Sequence, residues 1–370
     1  MQQRERPFVP VVLESLSMNR AARMTAVHAT QLTSNIVATS SFNRALGVVG
    51  DRWALQILRG SFAGVRRFEQ LQACSGAPRS TLADRLNGLV DRGVLERVRY
   101  CDNPPRYEYR LSEQGVDLHG ATMLLLGWEQ AWTRRSAALQ PLRHKACGHV
   151  MSAELICSLC GQQVAFENTE YEIRPVTGQA RVPAPLFHRH SCPKNVMDQV
   201  AGGSLGPLTD IIGDRWSLMV LWAGFLRLRR FDAIQGALRI ATNILAHRLN
   251  QLVEHGLYCR RSYSKHPPRY EYHLTKKGRE LFPVAFMLTQ WGDRWLVPHG
   301  AGGNLRVRHS ECGWLVRGIL SCRRCGEPIR PHEVDLPVRP VTQAPRSPER
   351  SRAESSFDCG LGRVEGLLDT

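Results

Sequence analysis

Eight residues in this 370-residue chain have the types and spacing of metal ligands. They form two runs, His144-x-x-Cys147-Gly with Cys157-x-x-Cys160-Gly, and His309-x-x-Cys312-Gly with Cys322-x-x-Cys325-Gly. All four positions of the first run recur in the second at one offset of 165 residues. Two knuckles separated by a hairpin-length spacer can bring three thiolates and an imidazole around one zinc ion in a tetrahedron. Glycine after the second ligand permits the tight turn and lets backbone N–H groups face sulfur. Four protein ligands leave no open coordination position, so such a site is structural and not catalytic. The spacing predicts two zinc ions per chain, one held by His144, Cys147, Cys157 and Cys160, the other by His309, Cys312, Cys322 and Cys325. His149 is an alternative ligand, but its counterpart is Trp314. Reduced thiols in a hairpin, or a redox-labile disulfide, are the competing readings. Cys74, Cys101, Cys192, Cys259 and Cys359 have no partner at useful spacing and are assigned no role.

The remaining composition bounds the partner. A formal charge of +16 points to nucleic acid or another anionic surface, against the plainer reading of a solvated basic face. The longest apolar runs fall short of the ~20 residues of a membrane span, and Phe8 to Leu13 is too short for a convincing signal peptide. The expectation is a cytoplasmic protein without a membrane partner. Cysteines in that compartment read as metal ligands more readily than as disulfides.

What positions these groups is a duplicated unit. Pro-Pro-Arg-Tyr-Glu-Tyr occurs at Pro104–Tyr109 and again at Pro267–Tyr272. Its tyrosines alternate with charge at period 2, which is strand patterning, and a proline pair marks a hairpin tip. Asp51, Pro104 and Trp132 recur as Asp214, Pro267 and Trp295, each at an offset of 163 residues. A period of that length is a duplicated domain and not a solenoid. Within a unit, Asp51 caps a helix with Trp53, Ile57 and Leu58 inward. A short helix follows with Phe68 and Leu71 inward, then a turn at Ser75–Pro78. A longer helix starts near Arg79, buries Leu82, Leu86, Leu89 and Val90, and ends at Gly93. The hairpin comes next, from Val94 to Leu111. A final helix from about Glu113 to Thr133 places Leu124, Trp128 and Trp132 on one face. That order is a winged helix-turn-helix. The fold class is α+β and mainly helical. The divisions are an N-terminal arm (1–35), a first winged-helix domain (36–135), a zinc-ribbon-like hairpin (140–173) and a linker (174–198). The second winged-helix domain (199–298), a second hairpin (305–339) and a polar tail that reads as disordered (340–370) complete the chain.

Gly-Asp-Arg-Trp, Arg-Arg-Phe, Arg-Leu-x-x-Leu-Val-x-x-Gly and Pro-Pro-Arg-Tyr-Glu-Tyr-x-Leu-Ser/Thr together resemble the HxlR-type winged helix-turn-helix transcriptional regulators. The likeness covers roughly 41–133 and 204–296. Members are small bacterial DNA-binding proteins, usually homodimers joined through terminal helices, so the resemblance implies a single-chain version of such a dimer. It leaves open a homodimer of the tandem chain, the effector, and the choice between repression and activation. Several members sense oxidants through a cysteine shortly before Gly-Asp-Arg-Trp. The matching positions here are Ser41 and Ser204, so redox sensing is not carried over.

A helix in the major groove reads base edges near its N-terminus. The candidates are Arg79, Ser80, Thr81 and Arg85 in the first unit and Thr242, Asn243, Ile244 and Arg248 in the second. Arg85 and Arg248 lie one turn further in, where phosphate contact is expected. Around the wings sit Arg97, Arg99 and Arg106, and Arg260, Arg261, Lys265 and Arg269, suited to a narrow minor groove or to phosphates. The tryptophans read as packing residues, with Trp128/Trp132 and Trp291/Trp295 placed to lie between the units. The leading function is therefore a sequence-specific regulator of double-stranded DNA. Its rival is a zinc-dependent protein–protein adaptor with degenerate winged helices. An enzyme is disfavoured by the lack of a P-loop, a dinucleotide fingerprint or a nucleophile elbow, and by metal sites that look closed.

Overall fold

A computed structural model describes residues 37, 40–132, 142–173, 214–297, 303 and 305–336. The arm, the linker and the tail expected from the sequence lie outside the described residues. The first unit runs α1 (Ser41–Val49), α2 (Arg52–Phe62), α3 (Phe68–Ser75), α4 (Arg79–Asp91), β1 (Leu95–Asp102), β2 (Pro105–Leu111), α5 (Glu113–Val116) and α6 (His119–Trp132). A Cys/His segment follows with β3 (Arg143–His144), β4 (Ala153–Cys157) and β5 (Thr169–Ile173). The second unit repeats the order with α7 (Arg215–Phe225), α8 (Phe231–Leu238), α9 (Thr242–Glu254), β6 (Tyr258–Lys265), β7 (Pro268–Leu274), α10 (Lys276–Arg279) and α11 (Phe282–Trp295). The last segment holds β8 (Leu305–His309), β9 (Gly318–Cys322), a 3-10 turn (Pro331–Glu333) and β10 (Val334–Asp335).

Local chemistry explains the element ends. Asp51 Oδ1 accepts from the N–H groups of Trp53 (3.0 Å) and Ala54 (3.3 Å), and Asp214 repeats this with Trp216 (2.9 Å) and Ser217 (3.3 Å). Gly93 and Gly256 end the long helices at φ 74° and 71°, a conformation other residues adopt with strain. Ser112 Oγ accepts from Gly115 N–H (3.1 Å) and Thr275 Oγ1 from Gly278 N–H (3.2 Å). Here the structure differs from the sequence expectation. The stretch predicted as one helix from Glu113 is two, α5 and α6, because this capped single turn bends the chain first.

Each wing is an antiparallel pair, Leu95↔Leu111 through Asp102↔Pro105 and Tyr258↔Leu274 through Lys265↔Pro268. A third segment fastens the wing to its unit: Tyr109 N–H donates to the Arg66 carbonyl (2.8 Å) and Tyr272 N–H to the Arg229 carbonyl (2.7 Å). That is what the repeated Arg-Arg-Phe stretch does.

The two units form one body across α6 and α11, which share a continuous apolar core. Four indole N–H groups cross the join. Trp128 donates to the Lys277 carbonyl (2.9 Å) and Trp132 to the Glu280 carboxylate (2.6 Å). The repeat-related pair, Trp291 and Trp295, donate to the Gln114 carbonyl and to Asp117, both at 2.8 Å. Helix α1 also lies on α11 and α7: the Ser41 hydroxyl donates to Asp293 of α11, while Phe42 stacks on Trp222 of α7 at 4.5 Å and Arg215 of α7 donates to Asn43 Oδ1 (2.6 Å). Gly292 permits the close approach of α1 to α11, since a Cβ there would stand 2.3 Å from the Ser41 carbonyl oxygen.

The interiors of the units differ. Where the second has Trp222, Ala237, Phe282 and Gly292, the first has Arg59, Cys74, His119 and Glu129. Burial pushes the Glu129 carboxyl up to about 8 while Arg59 pulls it down, and burial pushes His119 down to about 4. Folded Glu129 therefore holds a proton between about 4.5 and 8 that the unfolded chain releases, so its contribution is lost as pH rises through that window. His119 acts oppositely, its contribution falling as pH drops from 6.5 toward 4. Glu129→Gln should remove the alkaline loss. Its stability relative to the parent should rise between pH 5 and 8 by roughly 3–4 kcal/mol in thermal melts. A parallel pair of pH profiles would rule this out.

Candidate nucleic-acid interface and metal centres

The reading helices α4 and α9 begin at Arg79 and Thr242, with Pro78 and Ala241 as N-caps that supply no side-chain acceptor. In neither helix does the N-cap side chain take up a first-turn N–H group. Arg79 and Ser80 are exposed, as are Thr242 and Asn243. Arg79 holds its guanidinium 4.9 Å from the Phe68 ring centre. The Thr242 hydroxyl accepts from Gln235 (2.8 Å), and Asn243 Oδ1 accepts from the Ile244 N–H (2.9 Å). Thr81 is half-buried and its counterpart Ile244 packs on the core. The outward set thus narrows to Arg79 and Ser80 on one helix, Thr242 and Asn243 on the other.

Arg85 and Arg248 make ion pairs that sequence reasoning did not foresee. Arg85 Nε pairs with Asp51 at 3.0 Å, with its side chain 12% exposed. Arg248 pairs with Asp214 at 3.3 Å and donates to Gln251 (2.7 Å). Each arginine is turned inward onto the carboxylate that caps α2 or α7. It ties the reading helix α4 to α2, and α9 to α7.

The wing cations are where the sequence placed them, on exposed strands and tips. Arg97 lies over Tyr107 (3.7 Å) and Arg260 over Tyr270 (4.7 Å), so their guanidiniums are held along the hairpin. Arg99 pairs with Asp102 (3.0 Å) and donates to the Asp102 carbonyl (2.9 Å), which turns it back on the tip. Arg106, Arg261, Lys265 and Arg269 are exposed. Both tips carry a cis proline, Asn103-Pro104 and His266-Pro267. Sequence reasoning gave no role to Arg67 and Arg230. They stack on the wing residues Tyr100 (5.0 Å) and Tyr263 (5.1 Å), extending the basic face. Their recurrence in both units was the available signal.

The eight predicted ligands do converge on two centres, but with the partners exchanged. One centre is His144, Cys147, Cys322 and Cys325; the other is Cys157, Cys160, His309 and Cys312. The expectation that each segment would close its own site is corrected. The first knuckle of each segment meets the second knuckle of the other. Strand pairing gives the reason: β3 pairs with β10, β4 with β9 and β5 with β8, all between segments. Cys157 is held opposite Gly318, and Ala153 opposite Cys322. His149 is exposed, and Trp314 is 66% exposed.

The donor geometry fits zinc. His144 Nδ1 lies 3.6 Å from Cys147 Sγ and 3.5 Å from Cys325 Sγ. His309 Nδ1 lies 3.6 Å from Cys312 Sγ and 3.3 Å from Cys160 Sγ. A tetrahedron with Zn–S of about 2.3 Å and Zn–N of about 2.0 Å has an N–S edge of about 3.5 Å. All four knuckles close by a glycine N–H: Gly148 to His144 (2.7 Å), Gly161 to Cys157 (2.8 Å), Gly313 to His309 (2.7 Å) and Gly326 to Cys322 (2.7 Å). The four glycines have φ between 68° and 77°. The other ring nitrogen of His309, Nε2, lies 3.2 Å from the Gln163 carbonyl, which orients the imidazole. Cys74, Cys101 and Cys259 stand apart from both centres.

Repeated three-helix units with a basic two-stranded wing define a winged helix-turn-helix protein of the transcription-regulator class. A family model described as HxlR-like helix-turn-helix matches residues 48–137 and 211–300. The HTH-type transcriptional regulators MT3179 and Rv3095 of Mycobacterium tuberculosis are 44% identical over 136 residues, covering 36% of this chain and 86% of theirs. The HTH-type regulator sll1512 of Synechocystis is 39% identical over 93 residues, covering 24% of this chain and 67% of its own. Among solved structures, PA1374 of Pseudomonas aeruginosa is 31% identical over 35% of this chain and 85% of its own, with a TM-score of 0.26. The chain belongs to the HxlR-like helix-turn-helix family, as a tandem duplication, and is a DNA-binding transcriptional regulator. Among the described residues no helix is long and apolar enough to cross a membrane.

Proposed function

We propose that one chain serves as a pseudo-dimer on double-stranded DNA. The reading helices α4 and α9 enter major grooves about one helical turn, ~34–36 Å, apart, and the wings lie on backbone or in the minor groove. The observation that carries this reading is the repeat-related join of α6 and α11, with its reciprocal tryptophan hydrogen bonds, inside a single chain. It supplies within one polypeptide the kind of two-fold arrangement that a homodimer provides with two. Arg79 with Ser80, and Thr242 with Asn243, present the side chains that would read bases. Arg106, Arg261, Lys265 and Arg269 meet phosphates, with Arg97 and Arg260 held beside them. The Arg85–Asp51 and Arg248–Asp214 pairs keep the reading helices in place. Each Cys3His set takes a zinc ion in a closed, structural role, and the winged helices and the Cys/His segments are the domains that result.

Affinity should fall steeply with salt. With ~6–10 phosphate contacts it should drop ~10³–10⁵-fold between 50 and 200 mM salt. Arg269→Ala should weaken binding to all sequences about equally and reduce the salt slope by about one contact. Binding isotherms at several salt concentrations, on DNA selected from random sequence, are the test. A complex insensitive to salt would favour the protein–protein adaptor instead.

A further inference from the structure

We propose that the two metal centres are clasps between the two halves of the chain, and that metal loading fixes the separation at which the two reading helices are presented to DNA. This rests on the zinc reading above and adds to it which halves each ion joins and what that does.

Three observations converge. Each centre takes two ligands from either side of the second winged-helix unit, so an ion at His144, Cys147, Cys322 and Cys325 closes a loop that contains that whole unit. The second centre, Cys157, Cys160, His309 and Cys312, closes another loop over the same span. The two segments are thus interlocked by metal as well as by β3–β10, β4–β9 and β5–β8.

The segments also cross between units. The first starts on its own long helix, where a Cβ at Gly127 would be 3.8 Å from the Ala153 side chain. It ends on the other unit. Tyr171 donates to the Leu226 carbonyl, and Arg227 Nη2 donates to the carbonyls of Phe166 and Thr169, both at 3.3 Å. Phe166 packs on Phe225 and Phe282, with ring centres 6.2 and 6.1 Å away, and Glu167 pairs with Arg279. The second segment begins beside α11, where Gln290 donates to the Val316 carbonyl (3.5 Å). At its far end β10 pairs with β3, and the Glu333 carbonyl accepts from the Lys145 N–H (2.8 Å) of the first segment.

The strands that carry this crossing are short. Among the described residues the five sheets are all two-stranded, and the strands of the Cys/His segments are two to five residues long. Such pairs are marginal in water alone. Two Cys3His centres supply the missing free energy when zinc is bound, as in other small metal-dependent folds. Without metal the segments release each other while α6 and α11 stay joined by their tryptophans. The reading helices then lose the brace that spans from one unit to the other. Two-site binding gains from a fixed geometry through effective concentration, so loosening it lowers affinity for the paired site and leaves each single half-site nearly unchanged.

Double substitutions separate this arrangement from one in which each segment closes its own centre. Cys147→Ser with Cys325→Ser removes two ligands from one centre, so one zinc should remain tightly held against a chromogenic chelator. Cys147→Ser with Cys160→Ser strikes both centres, so neither zinc should be held tightly. The reverse pattern would overturn the exchange of knuckles. For the functional part, Cys147→Ser/Cys325→Ser and chelator-stripped parent protein are compared on DNA with both half-sites and with one. At least a tenfold loss on the paired site, with little change on the single one, is expected. Helical circular dichroism close to the parent's confirms that the winged helices persist; if the variant fails that check, the stripped parent carries the test. Equal affinities for paired DNA with and without metal would overturn the clasp. Failure of the metal-loaded parent to bind any DNA would count against the DNA reading and hence the functional part, while the zinc pattern still decides the pairing.

Discussion

Trp291→Ala should be among the most damaging single substitutions in the chain, lowering stability by about 3–5 kcal/mol in urea unfolding. The indole is 2% exposed at the join of α6 and α11 and donates to the Gln114 carbonyl at 2.8 Å. Truncation removes a large apolar surface and leaves that carbonyl without its donor. Trp295→Phe is the control. It is half-buried, so phenylalanine keeps most of the packing and loses the 2.8 Å hydrogen bond to Asp117, worth roughly 1 kcal/mol. If the join holds the pseudo-dimer together, Trp291→Ala should also weaken binding to paired half-sites far more than to a single one. A loss of stability below that of Trp295→Phe would refute the role given to this contact.

The elements of this fold were legible because the cues are local. Asp51 and Asp214 cap, Gly93 and Gly256 terminate, and apolar residues recur at helical spacing up to those marks. The split of α5 from α6 was missed because the helix expected from Glu113 was run on through Asp117 and Leu118, where the chain instead breaks between the two. The placing of Trp128, Trp132, Trp291 and Trp295 between units was legible from their spacing near helix ends. Their hydrogen-bond acceptors were not, since Gln114, Asp117, Lys277 and Glu280 sit about 150–180 residues away in sequence.

The metal centres divide in the same way. Ligand identity is a local property of each knuckle, and all eight ligands were readable. Which knuckles share an ion is a property of topology. The second segment repeats the ligand pattern of the first, so the pairing within a segment and the pairing across segments satisfy the same spacing. Only the strand register, with Cys157 opposite Gly318, distinguishes them. The ion pairs of Arg85 and Arg248 were hidden for a related reason. Their partners Asp51 and Asp214 lie more than thirty residues upstream and are brought beside them only by the fold.

The outward residues of the two reading helices lead to the second large effect, on operator symmetry. A homodimer presents two identical helices and selects a palindrome. Here exposed Arg79 aligns with Thr242, Ser80 with Asn243 and Asp84 with His247, while the inward pairs Arg85–Asp51 and Arg248–Asp214 keep both helices in the same setting. The scaffold is repeated and the readout is not. DNA selected by the chain should therefore contain two unlike half-sites about one helical turn apart. Arginine matches guanine and asparagine matches adenine through paired hydrogen bonds, each worth ~1–3 kcal/mol of discrimination. Arg79→Ala should relax preference by about 5- to 150-fold in one half, and Asn243→Ala by a similar factor in the other, with the remaining half unchanged in each case. Arg79→Lys keeps the charge but loses the planar fork, so it should retain overall affinity while still relaxing base choice. Sequencing of bound DNA from random pools for the parent and the three variants reads all of this at once. A simple palindrome, or two substitutions that act on the same bases, would show that the halves read alike despite their different side chains.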